Sequence, residues 1–321
     1  MKILLTHSPD ALANYYGERA LAKLREAGTV RLHSGSSSLE GEALIEAAQD
    51  CDLIVSYRQS PGPAVVFERL PKLRAFLRCA IDIRNIDVPA ASKAGVLVTQ
   101  ASAGFITSVT ELVLGFLVDL SRGVTRHAKD YHEGNVPQAW MGRELKGSTI
   151  GIIGYGAIGR EVARVCDALG MKVLISDPYV KGIDQVFLDE LLSRADFVVP
   201  LAVATEETEN LIGKAALAKM KKGAYLINVS RGNLVDEAAV EAALDSGHLA
   251  GFAMDVGRAP DQMPTPRLAA RKDVIATPHT AGLTPQAIEH QSLETAAQAA
   301  EIVKGRAPKG AVNAEHWRRK P

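Results

Sequence analysis

An apolar run that breaks on three glycines and resumes as a helix constrains this chain more than any other feature. Ile150-Gly151-Ile152-Ile153 reads as a strand and leads into Gly154-Tyr155-Gly156-Ala157-Ile158-Gly159, a G-x-G-x-x-G turn. Ile158, Val162, Cys166 and Leu169 then fall on one helical stripe, and Gly170 stops it. A second short apolar run, 171–176, ends at Asp177. A strand, glycine turn, helix and second strand with an acid at its tip make a unit that binds a dinucleotide. Gly154 suits the tight turn, Gly156 lets backbone approach a pyrophosphate, and Gly159 lets the helix pack close to the sheet. Ala157 and Ile158 open the helix, where free N–H groups face phosphate. Asp177 lies 18 residues after Gly159, where its carboxylate accepts from ribose hydroxyls and repels a 2′-phosphate. That selects NAD over NADP.

Alternation of strand-like and helix-like segments runs along the rest of the chain. Strands are expected at 2–6, 52–56, 74–77 and 97–99, then at 149–153, 171–176, 196–203, 224–229, 251–255 and 274–277. Helices are expected at 11–27, 89–94 and 105–120, then at 159–169, 187–194, 214–220, 236–246 and from Thr284-Pro285 to about 304. The stretch 125–146 reads as polar and contains Trp140. The pattern predicts an α/β protein of two Rossmann-like domains, each a doubly wound parallel sheet, with an interdomain cleft. A substrate domain would comprise 1–100 plus 288–321, and a dinucleotide domain 101–287. The 105–120 helix has few polar faces, so it is expected in a core or against a second copy in a homodimer.

Composition narrows the partners. Among 321 residues, 37 Lys and Arg balance 37 Asp and Glu, which gives no field for nucleic acid or a membrane surface. Cys51, Cys79 and Cys166 are scattered, with no metal-ligand spacing, and read as reduced thiols of a cytoplasmic protein. No segment is long and apolar enough to span a bilayer. The expected ligands are therefore small molecules, without a metal.

Several long motifs follow the glycine turn in order. Met220 to Gly232, with Asn228-Val229-Ser230-Arg231-Gly232 at its end, is close to M-K-x-G-A-x-L-I-N-x-x-R-G. Gly251 to Val256 contains Met254-Asp255-Val256, and Thr277-Pro278-His279-Thr280-Ala281-Gly282 matches T-P-H-x-x-G. On these residues the chain resembles the D-isomer-specific 2-hydroxyacid dehydrogenases. The resemblance implies an oxidoreductase that moves a hydride between NAD(H) and a small D-2-hydroxy acid or 2-oxo acid. It also implies a role for Arg231, which suits a guanidinium able to hold a carboxylate and polarise the C2 oxygen. His279 would shuttle the proton. Val229, Ser230, Asp255 and Gly282 would contact the nicotinamide end of the cofactor.

The departures from the family pattern matter as much. The family's histidine is oriented by a Glu, and the stretch 255–264 contains none. A one-residue shift places Asp261 there as partner of His279. The alternatives are a solvated loop acid at Asp261, and Gln262 as a neutral partner, as in the related formate dehydrogenases. Only Thr205 survives from the family's H-x-P-x-T. In the first domain, Arg78 to Asp87 resembles a glycine-rich loop whose amides bind the substrate carboxylate, with Ile81 and Asp82 as the contacts. Asp82 stands in place of a glycine and Arg84 in place of an acid, which leaves two readings: the two pair, or the substrate pocket has changed and the usual short hydroxy acids are not its ligands. Phe105 is a candidate for the pocket wall. Oxidation of another small anion, formate- or phosphite-like, is the neighbouring reading. A non-enzymatic NAD sensor is the reading from a different class, and a panel of 2-oxo acids separates them.

Overall fold

Eleven strands form two parallel sheets in a computed structural model that describes residues 1–321. The chain divides into one unit of Met1–Gly104 with Thr284–Pro321, and a second of Phe105–Leu283. The sequence placed these breaks after 100 and after 287.

In the first unit, β1 (Lys2–Leu5), β2 (Thr29–Leu32), β3 (Leu53–Ser56), β4 (Ala75–Arg78) and β5 (Leu97–Gln100) run in the order β2-β1-β3-β4-β5. Ile3, Leu5, Val55 and Leu77 pack one face against Leu21, Leu24, Ala299 and Ile302. Leu4, Ile54, Phe76 and Val98 pack the other against Leu44, Ile45, Val66 and Phe67. Alternate residues of each strand therefore serve opposite cores, which is why the central strands are apolar throughout. The helix expected at 11–27 is two helices, Pro9–Tyr15 and Glu18–Ala27, parted at Gly17 with φ 86°. The helix at Thr284 is as expected: it spans Pro285–Val303, and the Thr284 hydroxyl accepts from the Ala287 N–H.

In the second unit, β6 (Thr149–Ile153), β7 (Lys172–Ser176), β8 (Phe197–Pro200), β9 (Ala224–Asn228), β10 (Leu249–Met254) and β11 (Val274–Ala276) run β11-β10-β9-β8-β6-β7. After β7 the chain returns to the far side of β6, so the winding direction switches between β6 and β8. Open α/β sheets bind ligands outside the carboxyl ends of the strands at such a switch. The helix Ile106–Arg122 lays Val109, Val113, Phe116, Leu117 and Leu120 on this sheet. Burying an aliphatic or aromatic side chain of this size contributes roughly 1.5–3 kcal/mol. The polar stretch, for which no element was expected, contains a further helix, Val124–His132.

Candidate functional site

The glycine turn sits at the switch point and fits a dinucleotide. Gly154 has φ 99°, and a Cβ there would meet Leu201 and Ala202 backbone at 2.7 Å. A Cβ on Gly159 would lie 2.2 Å from the Gly154 carbonyl oxygen, so the helix Ala157–Ala168 packs directly on the turn. Nothing lies within 4 Å of a Cβ built on Gly156, which leaves that face of the backbone open. Arg160 N–H makes a helical bond to Gly156 O, and the amides of Ala157, Ile158 and Gly159 precede it in the helix's first turn. Open backbone beside these amides is the cradle a pyrophosphate requires. At the tip of β7, the Asp177 carboxylate accepts from Tyr155 N–H at 2.7 Å and from Tyr179 N–H at 2.9 Å. Each oxygen has a second lone pair for a ribose hydroxyl.

Arg231 and His279 follow β9 and β11, and the strand between them, β10, sends out the loop that joins their loops. Asn228, at the end of β9, braces the Arg231 turn. Its side chain donates to Arg231 O at 2.9 Å and accepts from Ser230 N–H at 3.1 Å. Ser230 Oγ donates to Ala202 O, and Val229 is buried beneath. A Cβ on Gly232 would sit 2.1 Å from the Gly257 carbonyl oxygen, so the loops after β9 and β10 touch backbone to backbone.

The loop after β10 differs from expectation in two ways. His279 Nδ1 bonds the main-chain carbonyl of Asp261 at 2.9 Å, rather than the Asp261 carboxylate. The Gln262 side chain is not on the histidine either; its Oε1 accepts from Gly232 N–H at 3.2 Å. The reason is backbone handedness. Asp261 and Gln262 have φ of 57° and 60°, and this left-handed pair turns the Asp261 carbonyl towards the ring. His279 itself has φ 54°, so three of the chain's four non-glycine left-handed residues meet here. Each such conformation costs on the order of 1–3 kcal/mol, and strain of this kind collects at functional sites.

Asp255 was expected at the nicotinamide. Its carboxylate is fully buried, and its bonds run to the loop that carries His279. It accepts from Thr277 Oγ1 at 2.6 Å, Thr280 N–H at 2.8 Å and Ala281 N–H at 2.9 Å. His279 N–H in turn donates to Asp255 O. A Cβ on Gly282 would lie 3.4 Å from Phe105. Asn228, Thr277 and Gln262 are thus structural members of the site. The first two are polar residues at strand ends, Asn228 buried and Thr277 partly so, a signal present in the sequence.

The first unit places its own polar residues at the carboxyl ends of β1, β3 and β4. Asp82 is paired: Arg84 Nε lies 2.9 and 3.0 Å from its carboxylate oxygens. Arg78 is fully buried and donates to Tyr57 O, Ser60 O and Asn85 Oδ1. It ties the loop after β3 to the loop holding Ile81 and Asp82.

The chain is similar to known proteins over most of its length. The family model for the NAD binding domain of D-isomer specific 2-hydroxyacid dehydrogenases matches residues 114–281. A glyoxylate reductase of Korarchaeum cryptofilum is 32% identical over 310 residues, 93% of either chain. A D-3-phosphoglycerate dehydrogenase of Rattus norvegicus is 34% identical over 287 residues, 87% of this chain and 54% of that one. This chain therefore spans little more than half the length of that relative. The solved D-2-hydroxyisocaproate dehydrogenase superposes with a TM-score of 0.88 at 25% identity, over 98% of this chain and 100% of that one.

Proposed function

The chain belongs to the D-isomer-specific 2-hydroxyacid dehydrogenases, and from that premise we propose which of its residues carry the reaction. The family's chemistry is hydride transfer between NAD and a small 2-hydroxy acid or its 2-oxo acid. Bound NAD gives or takes the hydride. Gly154, Gly156, Ala157, Ile158 and Gly159 hold its pyrophosphate and Asp177 its ribose, while Val229, Ser230 and Gly282 flank the nicotinamide. Arg231 holds the substrate carboxylate and draws electron density from the C2 oxygen. His279 is the acid–base residue. A carbonyl oxygen can only accept, so the contact to Asp261 O keeps a proton on Nδ1 and leaves Nε2 for the reacting oxygen. In reduction Nε2 gives its proton to the C2 oxygen; in oxidation it takes that proton back. We assign Asp255 as the brace of the histidine loop. The amides of Ile81 and Asp82 are offered to an anion, with the Asp82 charge offset by Arg84.

The single observation that carries this reading is that one loop, 255–263, bonds both the Arg231 turn and the His279 ring. The test is reduction of a panel of small 2-oxo acids, glyoxylate first, with NADH and NADPH. Turnover with NADH on at least one acid is expected; no turnover on any, with NADH still bound, contradicts it.

We also propose a homodimer. Val118 and Val124 are 40% and 54% exposed beside the irregular segment 133–144, where Val136 and Met141 are 88% and 92% exposed. A second copy covering this strip removes apolar surface from water. The buried, unpaired Cys51, Cys79 and Cys166 support a reducing compartment, the cytoplasm. No helix is long and apolar enough to cross a membrane.

A further inference from the structure

We propose that Gln262 is the positioning residue of this site, taking over through its side-chain carbonyl the orienting part that the family pattern gives to an acidic side chain on the histidine. The inference rests on the assignment of Arg231 and His279 above.

The loop after β10 is held at its base and at its tip. At the base, Arg258 donates to Glu209, Asn210, Asn233 O and Val235 O, and its own N–H bonds Glu237. Gly257 N–H donates to Gln262 O, and Ala259 N–H to Met263 O, which closes the loop on itself. From the tip, neighbouring residues reach outward in different directions. Gln262 Oε1 reaches Gly232 N–H, the amide directly after Arg231, and Asp261 O reaches His279 Nδ1. Fixing Gln262 on Gly232 therefore fixes the carbonyl that fixes the imidazole. Beside the backbone contact of Gly232 with Gly257, the Gln262 side chain thus ties the guanidinium turn to the segment whose carbonyl holds the histidine.

The backbone supports a selected role. Gln262 has φ 60°, a conformation that glycine adopts without strain, yet the position carries a long polar side chain. A residue kept against local strain signals a function for that side chain. This makes Gln262→Gly an informative variant, because it relieves the backbone and deletes only the bond to Gly232. Gln262→Glu retains an Oε acceptor in the same place.

The full-length enzyme is measured with NADH and the best acid of the panel. Gln262→Gly is expected to lower kcat about 10- to 100-fold, the scale of an ångström-level misplacement, with the NADH dissociation constant and Tm nearly unchanged. Gln262→Glu is expected to recover most of kcat. Independently of turnover, ¹⁵N-imidazole spectra, with His279 assigned by difference against His279→Gln, are expected to show one tautomer, protonated on Nδ1, in the native protein. In Gln262→Gly they are expected to show a mixture. Unchanged kcat, an unchanged tautomer, or no recovery in Gln262→Glu overturns the proposal. Absence of turnover in the native enzyme overturns the functional assignment instead, and the spectra still decide the role of Gln262.

Discussion

His7 illustrates how a single buried side chain sets a pH dependence for the whole fold. It follows β1 and lies between the rings of Tyr16 and Tyr57, each 5.0 Å away. Burial, and then the Arg78 charge, hold its pKa down to about 3. Unfolding returns it to about 6.5, so below that pH the unfolded chain binds a proton that the folded chain refuses. Stability is therefore expected to fall as pH drops from 6.5 towards 3, by up to ~1.4 kcal/mol per pH unit from this residue. Urea midpoints at pH 7 and 5 test this: His7→Phe should show a smaller drop than the native protein, and an equal drop contradicts it. The motifs that hold Arg231 and His279 are long and ordered, and the sequence already sets both residues just after strands of one sheet, where the structure has them. The partner of His279 could not be read from the sequence. It is a main-chain carbonyl aimed by two left-handed residues, and neither an Asp nor a Gln announces that handedness by its type. Residue type alone does not place Asp255 either, since an acid at a strand end can face a ligand or brace a neighbouring loop, as its carboxylate does for Thr280 and Ala281.

The elements that were legible are those with an apolar stripe and a stop signal. The helix Glu237–Asp245 is an example: the Asp236 carboxylate caps it, accepting from the Ala239 N–H at 3.1 Å. Asp236→Ala is expected to cost about 1 kcal/mol, a fall of roughly 2–4 °C in Tm, with the NADH dissociation constant unchanged. Calorimetry with and without NADH checks both. The helix Val124–His132 escaped because it buries no residue, and its short stripe of Val124, Ala128 and Tyr131 is set among polar residues. Strand β2 escaped because it is a largely exposed edge strand with no apolar run. The break at Gly17 was hidden because the apolar pattern continues through it; the non-helical backbone of Tyr16 and Gly17 separates the two helices.

At the scale of the molecule, a glycine turn and an alternating pattern were enough to give two parallel α/β units, because each parallel connection needs a crossover helix. The exposed strip around Val118, Val124, Val136 and Met141 makes a dimeric mass the expectation in light scattering at micromolar concentration, and a monomeric mass contradicts it. The most direct test of the account is single-turnover reduction of the best 2-oxo acid by NADH in the native enzyme, Arg231→Ala and His279→Ala, with NADH binding measured in parallel. Both variants are expected to bind NADH as the native enzyme does and to lose at least about 100-fold in rate, the lower end of what a positioned acid–base group contributes. Near-native rates in either variant would contradict the assignment of guanidinium and imidazole to the chemistry.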